Sequence, residues 1–399
     1  MLLIFISFNT LSFAESSKNN FIYYGIDNLA KSNFDILKNK NVALLYNEQS
    51  RTYDNKDILN VMLNHDVNIK LLMFPEHGPK AALNAGEKFN NGIYKNINYI
   101  SLYSNKKYPS NEDLENIDVI VFDLQDVGSK YYTYISTMTY VMNAACNNNI
   151  KFIVLDRPNP INGESIEGPY NELFSFVGMH EIPIRHGMTS GELAHMILDK
   201  GWIDCDNLDL TVFPILNWDR TKYFDEYDNI WNSPSPNIKT IDAAIAYNGM
   251  CLLEGTNLSE GRGTDRPFLK FGAPWINSDS LLFELGKYSF DGLELIPVYF
   301  IPSSSKFNGQ KCYGLELVIK DKNAFHPLQF SVTLLKVIKD LYPEDFKIND
   351  FLDTLYGSAD LNCILENRHC EINNLSKLFD FWLRISAKFN YERTSYLIY

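Results

Sequence analysis

A chain of 399 residues with 45% hydrophobic content has enough apolar mass for a sizeable core and, by length, for two or three domains. Its formal net charge of -13 argues against nucleic acid or an anionic membrane as partner, because both call for clustered Lys and Arg. An anionic ligand would need a local arginine.

The first fourteen residues, MLLIFISFNTLSFA, form an apolar run ending in small residues before a polar ESSKNN. The pattern is that of a secretory leader cleaved after Ala14, and it predicts an exported, periplasmic or extracellular protein. The basic start of such a leader is missing, so a misplaced start codon or a buried first strand stays open. No later stretch is long and apolar enough to predict a membrane span. Six cysteines do not make a disulfide framework in so long a chain, and no CxxC pair predicts zinc or redox chemistry. Cys363 and Cys370 can pair in an exported protein; Cys146, Cys205, Cys251 and Cys312 read as core thiols.

From residue 41 onward, short apolar runs alternate with helical patterns. VALLY (42–46), a helix over 57–63, IKLLMF (69–74), VIVFD (119–123), a helix over 132–145 and FIVLD (152–156) succeed one another. Continuous β-branched and aliphatic runs separated by helices are what strands of a parallel sheet covered on both faces look like. The prediction is an open α/β, Rossmann-like unit over 20–235. Thr189 and Glu192 stand at capping-box spacing and start a helix. LTVFPI (210–215) reads as a further strand. The proline-rich WNSPSPNIKT (231–240) reads as a rigid connector, since proline fixes φ. Residues 236–399 then read as a smaller α+β unit: helical AAIAY, a strand MCLLE, strands LELIPVYF and GLELVI, and a helix over 327–341.

The polar segments at the strand ends carry the chemistry. VALLY leads to NEQS, IKLLMF to PEHG, VIVFD to LQDVG and FIVLD to RPNP. Ligands of open α/β sheets lie beyond the carboxyl ends of the strands, which predicts one neighbourhood for Glu76, His77, Asp123, Gln125, Asp126, Arg157 and Asn159. None of these loops is a GxGxxG or a P-loop, so no nucleotide cofactor is expected. Glu76 is the leading candidate for a general acid: proline and glycine fix the backbone around it, and apolar surroundings favour a protonated carboxyl. A loop cap or a partner for Arg157 is the plain alternative. Asp126 is the candidate second carboxylate, with Asp123, nearer the sheet, read as structural. Arg185 and His186 precede the capped helix, where a loop can present them to the crevice. Tyr131, Tyr132 and Tyr134 can line a sugar-binding wall or pack the helix that comes next. The seven histidines include no HExxH, so no metal is expected, and no GxSxG elbow supports a serine triad.

One further stretch, EGTNLSEGRGT (254–264), sets Glu254, Asn257, Glu260 and Arg262 among three glycines. It can neither bury a core nor continue a helix. Composition leaves it either a binding loop or a hydrogen-bonded turn.

The blocks FPEHG…AGE, FDLQDVG…YYTYISTM, VLDRPNPI, RHGMTSGELA, PSPN, EGTNLSEGRGT, GAPW and YLIY, in this order over nearly the whole chain, resemble the exo-β-N-acetylmuramidase (NamZ-type) glycoside hydrolase family. The resemblance implies a Rossmann-like domain and a smaller C-terminal domain with the active site in the cleft between them. It implies hydrolytic release of terminal, non-reducing N-acetylmuramic acid from peptidoglycan saccharides or muropeptides, and it places the catalytic glutamate in the PEHG block, at Glu76. The alternatives are a lactyl-ether lyase or amidase on the same sugar, or a muropeptide-binding protein without turnover. Two positions depart from the family pattern: Lys80 and Lys130 stand where arginine is usual, and lysine lacks the fork that holds a carboxylate. Arg157, Arg185 and Arg262 remain candidates for the lactyl carboxylate, with Glu254, Asn257 and Glu260 for hydroxyls or the acetamide. Asp126, Glu260 or the substrate's own acetamide would serve the opposite face of the sugar. The sequence leaves the oligomeric state unknown.

Overall fold

The computed structural model describes residues 20–399 apart from 206, 367 and 369. The leader expected over 1–14 lies outside the described residues.

Strands β1 (Val42–Tyr46), β2 (Ile69–Phe74), β3 (Gly92–Tyr94), β4 (Ile97–Ser101), β5 (Val119–Asp123) and β6 (Lys151–Leu155) build the first sheet. A hairpin of β7 (Glu167–Tyr170) and β8 (Pro183–Arg185) lies apart, and β9 (Leu210–Phe213) closes the sheet in the order β3-β4-β2-β1-β5-β6-β9. All pairs are parallel except β3 with β4. Counting only parallel strands in chain order gives 3-2-1-4-5-6, the doubly wound Rossmann arrangement, with its switch point between β1 and β5. Every residue of β1 and β5 is buried, as helix-covered parallel strands require. Thr189 and Glu192 form the capping box of the helix Ser190–Asp199.

The smaller unit is a three-stranded antiparallel sheet of β10 (Lys270–Ala273), β11 (Leu293–Phe300) and β12 (Cys312–Ile319), in the order β10-β12-β11, packed with helices that include Ile241–Met250 and Pro327–Leu341. MCLLE, expected as a strand, is instead a 3₁₀ turn, Cys251–Gly255, that continues the helix before it. The reason is packing: a Cβ on Gly249 would fall 2.0 Å from the Pro327 carbonyl oxygen, so the helix that the turn continues lies directly on the helix Pro327–Leu341.

The two units are tied by more than the connector. The last residue, Tyr399, donates its hydroxyl to Asp156 and receives the Ile215 N–H, each at 2.8 Å, and Arg393 donates to the His186 and Gly187 carbonyls. Cys363 pairs with Cys370 as anticipated. Cys146 also pairs with Cys205, correcting the reading of both as core thiols; their Cα atoms are 6.2 Å apart, within disulfide reach. Cys251 and Cys312 are buried free thiols. Among the described residues no helix is long and apolar enough to cross a membrane.

Candidate active site

At the carboxyl end of β2 the chain turns sharply: His77 has φ +71° and Gly78 +69°, and the Gly78 N–H returns to the Pro75 carbonyl. A non-glycine residue holds a left-handed conformation only where its surroundings fix it. Here the His77 carbonyl accepts from Ala82 and Leu83, and its ring Nδ1 meets the Leu83 carbonyl at 2.7 Å. The turn aims Glu76 into a cavity of about 240 Å³ lined from both units. The Glu76 carboxylate is held at both oxygens, by the Gly86 N–H at 2.9 Å and the Thr133 hydroxyl at 2.6 Å, and the Tyr103 hydroxyl bonds to it as well. Burial pushes the Tyr103 phenol well above its ordinary value, with the Glu76 charge adding to the shift. Lys107 sits over the Tyr103 ring at 3.5 Å and over Phe176 at 4.2 Å. Burial lowers its pKa, against the pull of Glu76. Burial also holds His77 below the usual imidazole value, with Arg262 adding to the effect and Glu76 opposing it.

Tyr131, Tyr132 and Tyr247 form the wall; Tyr247 meets the other two edge-on, at centroid distances of 5.9 and 6.3 Å. The far side of the cavity is the EGTNLSEGRGT lip. Glu254 and Arg262 both line the cavity, joined by a 2.6 Å ion pair; Arg262 Nε also lies 3.3 Å from Glu260, and its guanidinium stands over Phe268 at 5.0 Å. Lys306 completes the cluster, 3.2 Å from Glu260 and donating to the Leu253 and Leu258 carbonyls. Burial raises the Glu254 pKa, and Arg262 opposes the rise. The glycines are required: Gly261 has φ +79°, and a Cβ there would fall 2.4 Å from the Lys270 carbonyl oxygen.

Of the residues named from sequence, the structure brings Glu76, His77, Tyr131, Tyr132, Glu254 and Arg262 to one cavity, with Glu260 in its immediate extension. The others lie elsewhere. Asp126 is turned beneath its own loop, where its carboxylate accepts the Gly128 N–H at 2.7 Å and faces His186 Nε2 at 3.7 Å. Burial pushes Asp126 up to about 7 and His186 down to about 3. Gln125 braces the Asp126 and Pro158 carbonyls, and Asn159 the Met188 carbonyl. Arg157 is ion-paired to Asp123 beneath the sheet end, and Arg185 donates to the Ile161 carbonyl at 2.6 Å. Asn257 faces away from the cavity, bonding to the backbone of Asp345 and Lys347. The cause is topological. The cavity gathers the ends of β2, β4 and β5, whereas the β6 tail lies beyond β5 and is consumed in bracing.

The departures from the arginine pattern also lie off the cavity. Lys80 is exposed, and Lys130 is buried against the smaller unit, donating to Asn171 at 2.8 Å and to the Tyr356 carbonyl at 3.1 Å. Burial lowers Lys130 to about 7. Sequence reasoning missed Tyr103, Thr133, Tyr247 and Lys306. Thr133 stands inside the tyrosine cluster already noted, and that adjacency was its only signal.

A Rossmann-like unit and a small α+β unit that set carboxylates from both across one tyrosine-walled cavity define a protein built like a glycoside hydrolase. Residues 42–242 match the family description "Exo-beta-N-acetylmuramidase NamZ, N-terminal", and residues 245–399 match its C-terminal counterpart. The chain is 37% identical over 392 residues to the peptidoglycan beta-N-acetylmuramidase NamZ of Bacillus subtilis (strain 168), covering 96% of this chain and 93% of that protein. Two crystal structures of DUF1343 family proteins from Bacteroides fragilis NCTC 9343 share the fold. One has a TM-score of 0.86 at 30% identity, covering 96% of this chain and all of that one; the other has 0.75 at 27%, covering 95% and 99%. The chain belongs to the exo-β-N-acetylmuramidase NamZ family.

Proposed function

We propose that this protein is an exo-acting glycosidase that releases N-acetylmuramic acid from the non-reducing end of peptidoglycan fragments. The observation that carries the reading is Glu76, fixed at both oxygens and facing the Glu254–Arg262 pair across a cavity walled by tyrosines. Glu76 gives its proton to the glycosidic oxygen as the bond breaks. Glu254, or the acetamide of the sugar itself, answers the positive charge that develops on the ring. Arg262 spends Nε and Nη2 on Glu260 and Glu254, and its Nη1 carries no bond to a described residue, which makes it the partner for the lactyl carboxylate. The wall tyrosines supply flat apolar faces for the sugar ring.

Export is part of the proposal. The apolar leader and the two cystine pairs, Cys146–Cys205 and Cys363–Cys370, both favour an oxidising compartment outside the cytoplasm. The test is digestion of a muramic acid–N-acetylglucosamine disaccharide with product masses read out. Free muramic acid with its lactyl ether intact supports the reading; a cleaved ether, or binding without products, refutes it.

A further inference from the structure

The cavity holding Glu76 does not end at the lip. A second cavity of about 420 Å³ shares Ala85, Glu254, Arg262 and Phe351 with the first, and a third of about 570 Å³ shares Asn237 and Ser304 with the second. Burial falls along this line: Glu76 and Tyr132 are buried at the inner end, Asn237 and Ser304 half-buried at the join, and Lys239 and Asp265 exposed at the outer end. The walls of the outer cavities are locked in place. The Ser303 N–H and hydroxyl both donate to the Gly263 carbonyl, at 2.9 and 2.8 Å. Gly263 itself has φ +79° and room for no Cβ, which would fall 2.5 Å from the Ser304 nitrogen. Lys306 then pins the same segment beneath the lip.

We propose that the second and third cavities bind the second and third sugars of a glycan strand, so that the preferred substrate has at least three rings. This rests on the muramidase reading of the first cavity. A peptidoglycan strand alternates its two sugars, so a strand with muramic acid in the first cavity puts N-acetylglucosamine in the second and muramic acid again in the third. The second cavity suits an uncharged sugar, because Glu254 and Glu260 are balanced there by Arg262 and Lys306. The third suits an acid. Its Asp265 is paired with Lys270 at 2.8 Å, whereas Lys239 has no ion-pair partner among the described residues. Lys239 meets the lactyl carboxylate of the third ring.

The experiment is calorimetric binding of two-ring and three-ring strand fragments, each with non-reducing muramic acid, to the full-length Glu76→Gln protein and to Glu76→Gln/Lys239→Ala. The third ring should tighten binding, and Lys239→Ala should remove about fivefold of that gain, the reach of an exposed ion pair. Amidation of the third-ring lactyl group should match the effect of Lys239→Ala. A three-ring fragment that binds no tighter than the two-ring one overturns the proposal, as does a Lys239→Ala loss that is equal for both. Muramic acid release from the two-ring fragment by the unaltered enzyme judges the parent reading separately, since the affinity difference between fragments does not depend on turnover.

Discussion

Replacing Glu76 with glutamine removes a transferable proton while keeping the side chain's volume. The structure indicates that the fold tolerates it. The amide oxygen can still accept the Gly86 N–H, held at 2.9 Å, and the amide nitrogen can donate to a Thr133 hydroxyl turned to accept. The stability cost is about 1 kcal/mol, one hydrogen bond re-made. The catalytic cost is larger, because a positioned general acid contributes about 10²- to 10⁴-fold, or about 3–5 kcal/mol of barrier. The assay compares two substrates. With the muramic acid–N-acetylglucosamine disaccharide, whose sugar leaving group needs the proton, kcat/KM should fall by about three decades. With a 4-nitrophenyl muramic acid glycoside, whose leaving group departs as an anion, the fall should stay within about tenfold. A Glu254→Gln protein, altered on the other face of the sugar, should lose activity on both. If folded Glu76→Gln keeps a near-normal rate on the disaccharide, or loses both substrates equally, Glu76 is not the acid.

Arg262→Ala leaves Glu254 and Glu260 without their shared counter-charge and should destabilise the fold by about 3–5 kcal/mol at pH 8, with a smaller loss at pH 5, because burial raises the Glu254 pKa and lets it take up a proton once Arg262 is gone. Urea denaturation at the two pH values checks it, and an equal loss at both would show that charge is not the cause. Asp126 titrates near 7 in the fold, against about 4 in an unfolded chain, so the folded protein holds the extra proton between those values. Stability contributed by the protonated group is therefore lost as pH rises from about 4 to 7. Asp126→Asn removes that penalty, so its melting temperature should rise relative to the parent across this window; a constant difference would refute the assignment. Cys146→Ser opens a loop spanning 59 residues and should cost about 4 kcal/mol, read as a lower denaturation midpoint; reductant should lower the parent's midpoint by at least as much, since it opens Cys363–Cys370 as well.

Where the chain is buried on every side, its sequence is a direct record of structure. VALLY, IKLLMF and VIVFD are strands with the expected limits because a helix-covered parallel strand is apolar along its covered length, with charge only near an end, at Lys70 and Asp123. The hairpin NGIYKNINYIS escaped notice because β3 is an edge: Ile93 is exposed, and the turn at Lys95 and Asn96 takes positive φ without glycine. Tyr103 was lost with it, since nothing marked the end of β4 as a strand end. The site was half legible for a related reason. A polar residue after a strand is aimed beyond the sheet, but its place in line does not say on which side of β5 it falls or whether a neighbour claims it. Arg157 is claimed by Asp123 and Asn159 by the Met188 carbonyl, both partners remote in sequence.

The lip shows what such claims achieve. Of the charged groups lining the Glu76 cavity, Glu254 and Arg262 cancel each other, and burial keeps His77 below its usual value and hence neutral near pH 7. Apart from Glu76, the lining is therefore close to neutral, and little of its charge must be desolvated when a sugar ring enters. In the proposed reaction, proton transfer to the glycosidic oxygen leaves Glu76 as a carboxylate as the ring becomes cationic. The Thr133 hydroxyl and the Gly86 N–H already donate to its two oxygens and would meet that charge in place. On that proposal the cavity would stabilise the separated charges of the transition state more than the complex before it, which is the difference that accelerates a reaction. The second carboxylate on Arg262, Glu260, is balanced in turn by Lys306, so the lip carries two carboxylates against two cations and presents no excess positive charge to the developing oxocarbenium ion.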